Sequence, residues 1–471
     1  MKGTRVQVLS NIASWSKDAQ APQIFWLTGH AGSGKSAIAC TVCSTASEDP
    51  DIVLGGSFFC SRSAGSVAQR DVRCIIPTLA QLLARQSPEF SFALAAELAR
   101  DPDVLHKQIK TQVEQLLQKP LLALKDSRVP IMFVIDALDE CGGQLTTDGS
   151  LNDPDSHRIV SAMLEALVSF SRSPVKLPVK FFVISRPETH IRDTPVSDVA
   201  FSKVLQLHTV DKEQVTGDIQ LYISSQLLST QRLRDWFAED DAVMLARLCD
   251  GLFIVATTAL RYAFGSGIDR ASVRFKTLLN ATRDGLSTGA AAPLDRMYAL
   301  IMTDAVGVDE AVDDLPTMLQ VLAALLAARM TLSVSALADL SGNPKDHLRA
   351  SLSRLHAVVH VPDNDGEPGL RTLHASFGDY LVERAADNYR IDRSLGDVTL
   401  TEGCFQLMAQ RLYFNVSQSG SSYVANHLRR PDSITLAVEY ACLHWVYHGS
   451  RLPNRHHLAT KPPKAFDSIY R

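Results

Sequence analysis

The stretch that most constrains this fold is Gly29-His30-Ala31-Gly32-Ser33-Gly34-Lys35-Ser36, which follows the apolar run Ile24-Phe25-Trp26-Leu27 and leads into Ala37-Ile38-Ala39-Cys40. The order is strand, glycine-rich turn, helix, the context in which the full G-x-x-x-x-G-K-[ST] pattern forms a phosphate-binding loop. Three glycines let the backbone turn tightly with its N–H groups inward. There they and the positive end of the following helix can hold phosphate oxygens. Gly29 to Ala37 are therefore the expected nucleotide-binding residues, with Lys35 reaching the β- and γ-phosphates and the Ser36 hydroxyl ligating Mg²⁺. Such a loop sits on a parallel sheet covered by helices, so the fold class is α/β.

Two later strands supply the chemistry a phosphate site needs. Ile131-Met132-Phe133-Val134-Ile135-Asp136 is a continuous apolar run ending in a carboxylate, the pattern of a strand buried on both faces. Asp136 fits the Walker B position that holds Mg²⁺ through water. Asp139 and Glu140 follow just past the strand's carboxyl end, where open parallel sheets bind ligands, and either could orient or deprotonate a water attacking the γ-phosphate. Val179 to Ile184 is another buried strand, continuing into Ser185-Arg186-Pro187. Arg186 at that position can sense and stabilise a γ-phosphate.

Together these motifs resemble the NACHT family of signal-transduction NTPases with numerous domains, the STAND class. The resemblance is nearest to the fungal heterokaryon-incompatibility type with a nephrocystin-like N-terminal region. It rests on Trp26-Leu27-Thr28-Gly29, Ser57-Phe58-Phe59-Cys60-Ser61-Arg62, Asp136-Ala137-Leu138-Asp139-Glu140-Cys141 and Ser185-Arg186-Pro187-Glu188. It implies a P-loop NTPase sheet of the ASCE type, with the Arg186 strand between the Ser36 and Asp136 strands, followed by a helical domain and a winged-helix domain. Gly251-Leu252-Phe253-Ile254 resembles a family segment in which relatives carry Gly-x-Pro near the adenine; here Phe253 stands in the proline's place. His374, in Leu373-His374-Ala375-Ser376-Phe377, matches the family's His-x-Ser-Phe, whose histidine contacts the β-phosphate of bound ADP.

The remaining pattern divides the chain into a lead helix (1–20), the NTPase core (21–210), a helical domain (211–310), a winged-helix domain (311–385), a helical extension (386–450) and a flexible tail (451–471). Thr4-Arg5-Val6-Gln7 has the form of a capping box, and Val8, Ile12 and Trp15 form the stripe of the lead helix. Within the winged helix the spacing predicts helices over Leu319–Ala328, Val334–Leu340 and Asp346–His356, then a hairpin of Val358–Val361 with Leu370–Leu373. Arg349 and Arg354 lie on the third helix without a basic stripe, which argues against DNA binding. Beyond it, Cys404–Asn415 and Ile434–Gly449 read as helices.

Composition excludes several classes. A formal net charge of −4 and a pI near 6.4 give no bias toward nucleic acid or anionic membrane. No apolar stretch approaches the ~20 residues that cross a bilayer. The eight cysteines form no disulfide framework, Cys40-x-x-Cys43 reads as core packing on a helix, and a soluble cytoplasmic setting is expected. The acidic loop with Asp148, Asp153 and Asp155 lacks EF-hand spacing.

The resemblance implies an ATP/ADP switch with Mg²⁺ that opens and homo-oligomerises on exchange, hydrolyses slowly, and serves non-self recognition or programmed cell death. A turnover ATPase or a non-hydrolysing scaffold are the alternatives. Absence of Asn-Lys-x-Asp leaves adenine the default base, with GTP not excluded. The trigger and the effector partner are not legible.

Overall fold

The computed structural model describes residues 3–61, 67–127, 129–141, 154–198, 202–227, 239–265, 271–285, 293–306, 314–413, 416 and 434–452. The chain divides into two compact units, one reaching Thr257 and the other beginning at Thr258.

The first unit is built on a parallel sheet of β1 (Ile24–Thr28), β2 (Val53–Phe59), β3 (Ile131–Asp136), β4 (Val179–Ser185) and β5 (Ser202–Gln206), in the order β2-β3-β4-β1-β5. Every residue of β1, β3 and β4 is buried, as continuous apolar runs in a two-sided parallel sheet must be. Alternation along the strands then feeds two cores. Phe25, Leu27, Met132, Val134, Phe182 and Ile184 face α1 (Val6–Lys17) and α2 (Lys35–Glu48). Trp26, Phe133, Ile135, Phe181 and Val183 face α3 (Ile75–Ala84), α4 (Pro88–Arg100) and α5 (Pro154–Ser171). Each such aromatic or aliphatic side chain contributes about 1.5–3 kcal/mol through burial. The order places β4 between β1 and β3, the ASCE arrangement expected above.

Lys180 is a buried cation within this largely apolar sheet. Its ammonium, on a residue only 4% exposed, donates to the carbonyls of Asp18 (2.6 Å) and Ala21 (2.9 Å) and lies 5.4 Å from the Trp15 ring. It thus ties the loop after α1 to the sheet. Burial pulls its pKa down to about 8, with Asp18 opposing. Lys180→Met would leave those carbonyls without their charged donor. It is expected to lower the stability of the chain by about 2 kcal/mol in urea unfolding at pH 7.

Beyond the sheet the first unit continues with α6 (Lys212–Leu227), α7 (Glu239–Leu248) and the start of α8 (Phe253–Phe264). The turn before α8 uses two left-handed residues, Asp250 and Gly251. Two expectations are corrected here. The lead helix starts at Val6 with Arg5 as its N-cap, left-handed at φ 55°, and no side chain caps it, so the capping box does not form. Cys40 is exposed, so of the C-x-x-C pair only the half-buried Cys43 packs against the core.

The second unit contains α9 (Ala271–Gly285), α10 (Pro293–Val306), α11 (Asp314–Ala327), α12 (Val334–Ser341), α13 (Lys345–Ser353), a short antiparallel pair β6 (Val359–His360) and β7 (Arg371–Thr372), α14 (Arg393–Arg411) and α15 (Leu436–Ser450). Leu332 bridges Leu370 beside the hairpin. Arg349 is held by the turn it faces: it donates to the carbonyls of Pro362 and Asp363 and pairs with Asp365 at 2.9 Å. Helix α14 begins at Arg393, well before the expected Cys404, and ends at Arg411. A Cβ on Gly396 would lie 2.2 Å from the Ala323 carbonyl oxygen and one on Gly403 1.8 Å from that of Leu340, so close packing on α11 and α12 requires these helix-weakening glycines. A buried network joins α14 to α15: Asp397 pairs with His448 at 2.7 Å and Arg451 at 3.0 Å, and His448 bonds the Tyr440 hydroxyl at 2.7 Å. Among the described residues no helix is long and apolar enough to cross a membrane. Asp148 and Asp153 of the acidic loop, Asn415, and the tail beyond Leu452 lie outside the described residues.

Candidate functional site

The loop after β1 takes the shape its glycines permit. Gly32 and Gly34 are left-handed, at φ 76° and 91°, and Gly34 caps α2. A Cβ on Gly32 would come within 2.0 Å of Ile254, whose N–H donates to the Gly32 carbonyl at 3.1 Å. The Gly251-Ile254 segment therefore packs directly on the loop, and Phe253 lies against Gly34. Lys35 folds back over the loop, donating to the carbonyls of Gly29 (2.7 Å) and His30 (2.9 Å). Burial lowers its pKa; Asp139, Asp136 and Glu140 are near enough to oppose this and Arg186 to add to it. One ammonium thus senses all four ionisable groups singled out on the neighbouring strand ends.

Those groups meet because β3, β4 and β1 are adjacent and parallel, which opens their carboxyl ends on one crevice. The Ser36 hydroxyl lies against the Asp136 carboxyl. Burial pushes Asp136 up to about 6, while the bonds from Ser36 and the Ala137 N–H pull it the other way. Ala137 is left-handed at φ 53°, a strained conformation for a residue with a Cβ, and it turns the chain so that Asp139 points back toward β4. Asp139 accepts the Arg186 backbone N–H at 2.8 Å and pairs with its Nε at 3.2 Å. Glu140 stands 3.9 Å from Arg186 Nη2 and is the more exposed acid, its side chain 17% accessible against 2% for Asp139.

The crevice suits a phosphate-bound cation. Thr28 Oγ1, Ser33 Oγ and Asp136 Oδ1 are buried without partners, and each such orphan costs about 1–3 kcal/mol. A hydroxyl and a carboxylate are the hard oxygen donors Mg²⁺ accepts, usually with several waters and substrate phosphates completing its shell. Among the described residues no group of three or more His, Cys, Asp or Glu is placed to hold a metal ion.

Arg5 belongs to the same neighbourhood and was not singled out from the sequence. It is 6% exposed, donates through Nη2 to the Ser33 carbonyl at 3.0 Å, and sits 5.3 Å from the centre of the Phe253 ring. Its Nε and Nη1 are buried without partners, and its backbone N–H donates to Asp218 at 3.0 Å. Burial lowers its pKa, with Asp218 opposing. The one available signal was a basic residue beside a helix N-terminus, where acids are favoured.

His374 lies in the second unit, at the N-cap of a short helix over Ala375–Asp379. Its Nδ1 accepts the Ser376 N–H at 3.1 Å and lies 2.6 Å from the Ser376 hydroxyl. In the neutral ring the proton then sits on Nε2, making that nitrogen a donor.

Residues 3–186 match the family model described as Nephrocystin 3, N-terminal. The chain is 22% identical over 483 aligned residues to the vegetative incompatibility protein HET-E-1 of Podospora anserina, covering 95% of this chain. It spans about a third of that relative's length, 32%. Among solved structures, it is similar to a Signal Transduction ATPase with Numerous Domains protein with a tetratricopeptide repeat sensor from Pyrococcus horikoshii, with TM-score 0.40 and 10% identity over 88% of this chain and 46% of the other. Similarity to Cdc6p of Pyrobaculum aerophilum has TM-score 0.32 and 12% identity over 85% of this chain and 95% of the other. The chain is thus similar to the fungal heterokaryon-incompatibility kind of NACHT/STAND protein, and its N-terminal region is nephrocystin-like.

Proposed function

We propose that the chain is an ATP/ADP-operated switch of the NACHT/STAND type, with slow Mg²⁺-dependent hydrolysis as its reset. The observation that carries this reading is the approach of Lys35, Asp136, Asp139, Glu140 and Arg186 to one another at adjoining strand ends. Backbone N–H groups from Gly29 to Ala37 and the start of α2 hold the phosphates, and Lys35 exchanges its loop carbonyls for phosphate oxygens. Ser36 and Asp136 hold Mg²⁺, which supplies charge neutralisation between the phosphates. Adenine is the proposed base, with Arg5 and Phe253 flanking the loop on one side.

The division of labour between the two acids follows from their burial. Asp139 fixes the direction of Arg186, and Glu140 is the candidate to position water. A γ-phosphate would compete for the Arg186 guanidinium, and the longer contact to Glu140 is the one given up first. With Arg186 drawn to the γ-phosphate, Glu140 takes a proton from the attacking water. ADP offers Arg186 no γ-phosphate; in that state His374, donating from Nε2, is the proposed reader of the β-phosphate. Differential contact of this kind is what shifts a two-state equilibrium. We assign the helices and hairpin over 314–373 to a winged helix that moves with His374, and a homo-oligomer to the ATP state.

Glu140→Gln tests the assignment. Hydrolysis of bound ATP in single-turnover assays should fall by about 10²–10⁴-fold while ATP affinity stays within a few-fold. Unchanged hydrolysis would remove Glu140 from the chemistry. Partner-independent steady turnover of the wild type above about 1 s⁻¹ would identify a working ATPase instead of a switch.

A further inference from the structure

Two buried cysteines flank the acidic turn and take no part in the function proposed above. Cys60 follows β2, and its N–H donates to the Asp136 carbonyl at 3.0 Å. Cys141 ends the turn that carries Asp139 and Glu140. Their sulfurs lie 2.7 Å apart, against about 2.04 Å for a disulfide bond, although the residues are 81 positions apart in sequence. Both are free thiols, 4% and 1% exposed. The segments bearing them are fixed from both sides: Ser61 N–H donates to the Gln69 carbonyl at 3.1 Å, and the Cys141 thiol contacts the same carbonyl at 3.6 Å. A pair so placed needs little backbone movement to become covalent.

We propose that Cys60 and Cys141 are a modification site, a dithiol that closes to an intrachain disulfide and pins the Asp139–Glu140 turn to the end of β2. The oxidant class is a small disulfide such as glutathione disulfide. The Cys141 thiolate attacks one glutathione sulfur, its S–S bond breaks, and one glutathione leaves as a thiolate that takes up a proton. The Cys60 thiolate then attacks the Cys141 sulfur of the mixed disulfide and expels the second glutathione, which is protonated in turn. Two cysteines lose two electrons and two protons, and one glutathione disulfide gains them. Burial pushes the Cys60 thiol well above its ordinary value, as does its contact with Cys141. The reaction is therefore slow and waits on local opening.

The test uses the full chain without nucleotide, so its outcome is independent of the switch reading. The protein is equilibrated with glutathione disulfide, alkylated in denaturant and mapped without reduction. The expected result is one dominant crosslink between the Cys60 and Cys141 peptides, reversed by dithiothreitol, with amide exchange over 137–141 slowed about tenfold. Cys60→Ala should abolish the crosslink and leave Cys141 alkylatable. Full alkylation of both thiols in denaturant after equilibration would overturn the proposal. So would a dominant Cys74–Cys141 crosslink, Cys74 being near enough to Cys141 to interact electrostatically.

Discussion

Lys35→Ala is expected to lower ATP affinity by about two to four orders of magnitude, because it removes two charge-assisted contacts worth about 1.5–3 kcal/mol each. Among the described residues, the other cations near the loop are already engaged. Arg186 is engaged by Asp139, and Arg5 is held on the Ser33 carbonyl. The fold should tolerate the change, since the Lys35 ammonium contacts only carbonyls of its own loop among the hydrogen bonds described. Equilibrium dialysis with ATP, beside an unfolding curve, separates lost affinity from lost structure. Retention of nucleotide by a folded mutant would contradict the assignment.

Asp136→Asn is expected to act in opposite directions on stability and on binding. The carboxyl sits at about 6 in the folded chain against 3.8 ordinarily, chiefly because burial penalises its charge. A raised folded-state pKa means that the native chain binds this proton more tightly than the unfolded one. The associated stability is complete below about pH 3.8 and lost as pH rises through about 6, leaving a penalty of about 3 kcal/mol at pH 7.5. Asparagine removes that penalty. The nucleotide-free mutant should therefore be about 2–3 kcal/mol more stable than wild type in urea at pH 7.5, with the gap closing toward pH 4. The Mg²⁺-dependent part of ATP binding should vanish in the mutant. In the wild type it should weaken as pH falls through about 6, where a proton competes for the carboxylate. A mutant less stable than wild type at pH 7.5 would show that the carboxylate is well paired in the fold.

Much of this site was legible because its determinants are local. The loop announces itself in eight consecutive residues, and β3 and β4 are apolar runs whose last residues deliver Asp136 and Arg186 to the same edge. The strand order came from resemblance; no spacing in the chain encodes which strand pairs with which. What stayed hidden depends on partners far apart in sequence. Asp139 reads as one of two equivalent acids until its bond to Arg186, 47 residues later, separates it from Glu140. Arg5 reads as part of a cap, yet its partners are Ser33, Asp218 and Phe253. The early start of α14 was obscured because Gly396 and Gly403 weaken the helical signal, and the neighbouring backbones that demand them cannot be seen from sequence.

The central claim is that one triphosphate is gripped jointly by the glycine-rich loop, the β3 end and the β4 end. Calorimetric titration of ATP into the full chain, with and without Mg²⁺ and alongside Lys35→Ala, tests it most directly. The account predicts one nucleotide per chain, bound more tightly with Mg²⁺ and lost in the mutant. Binding that ignores both the metal and Lys35 would contradict it.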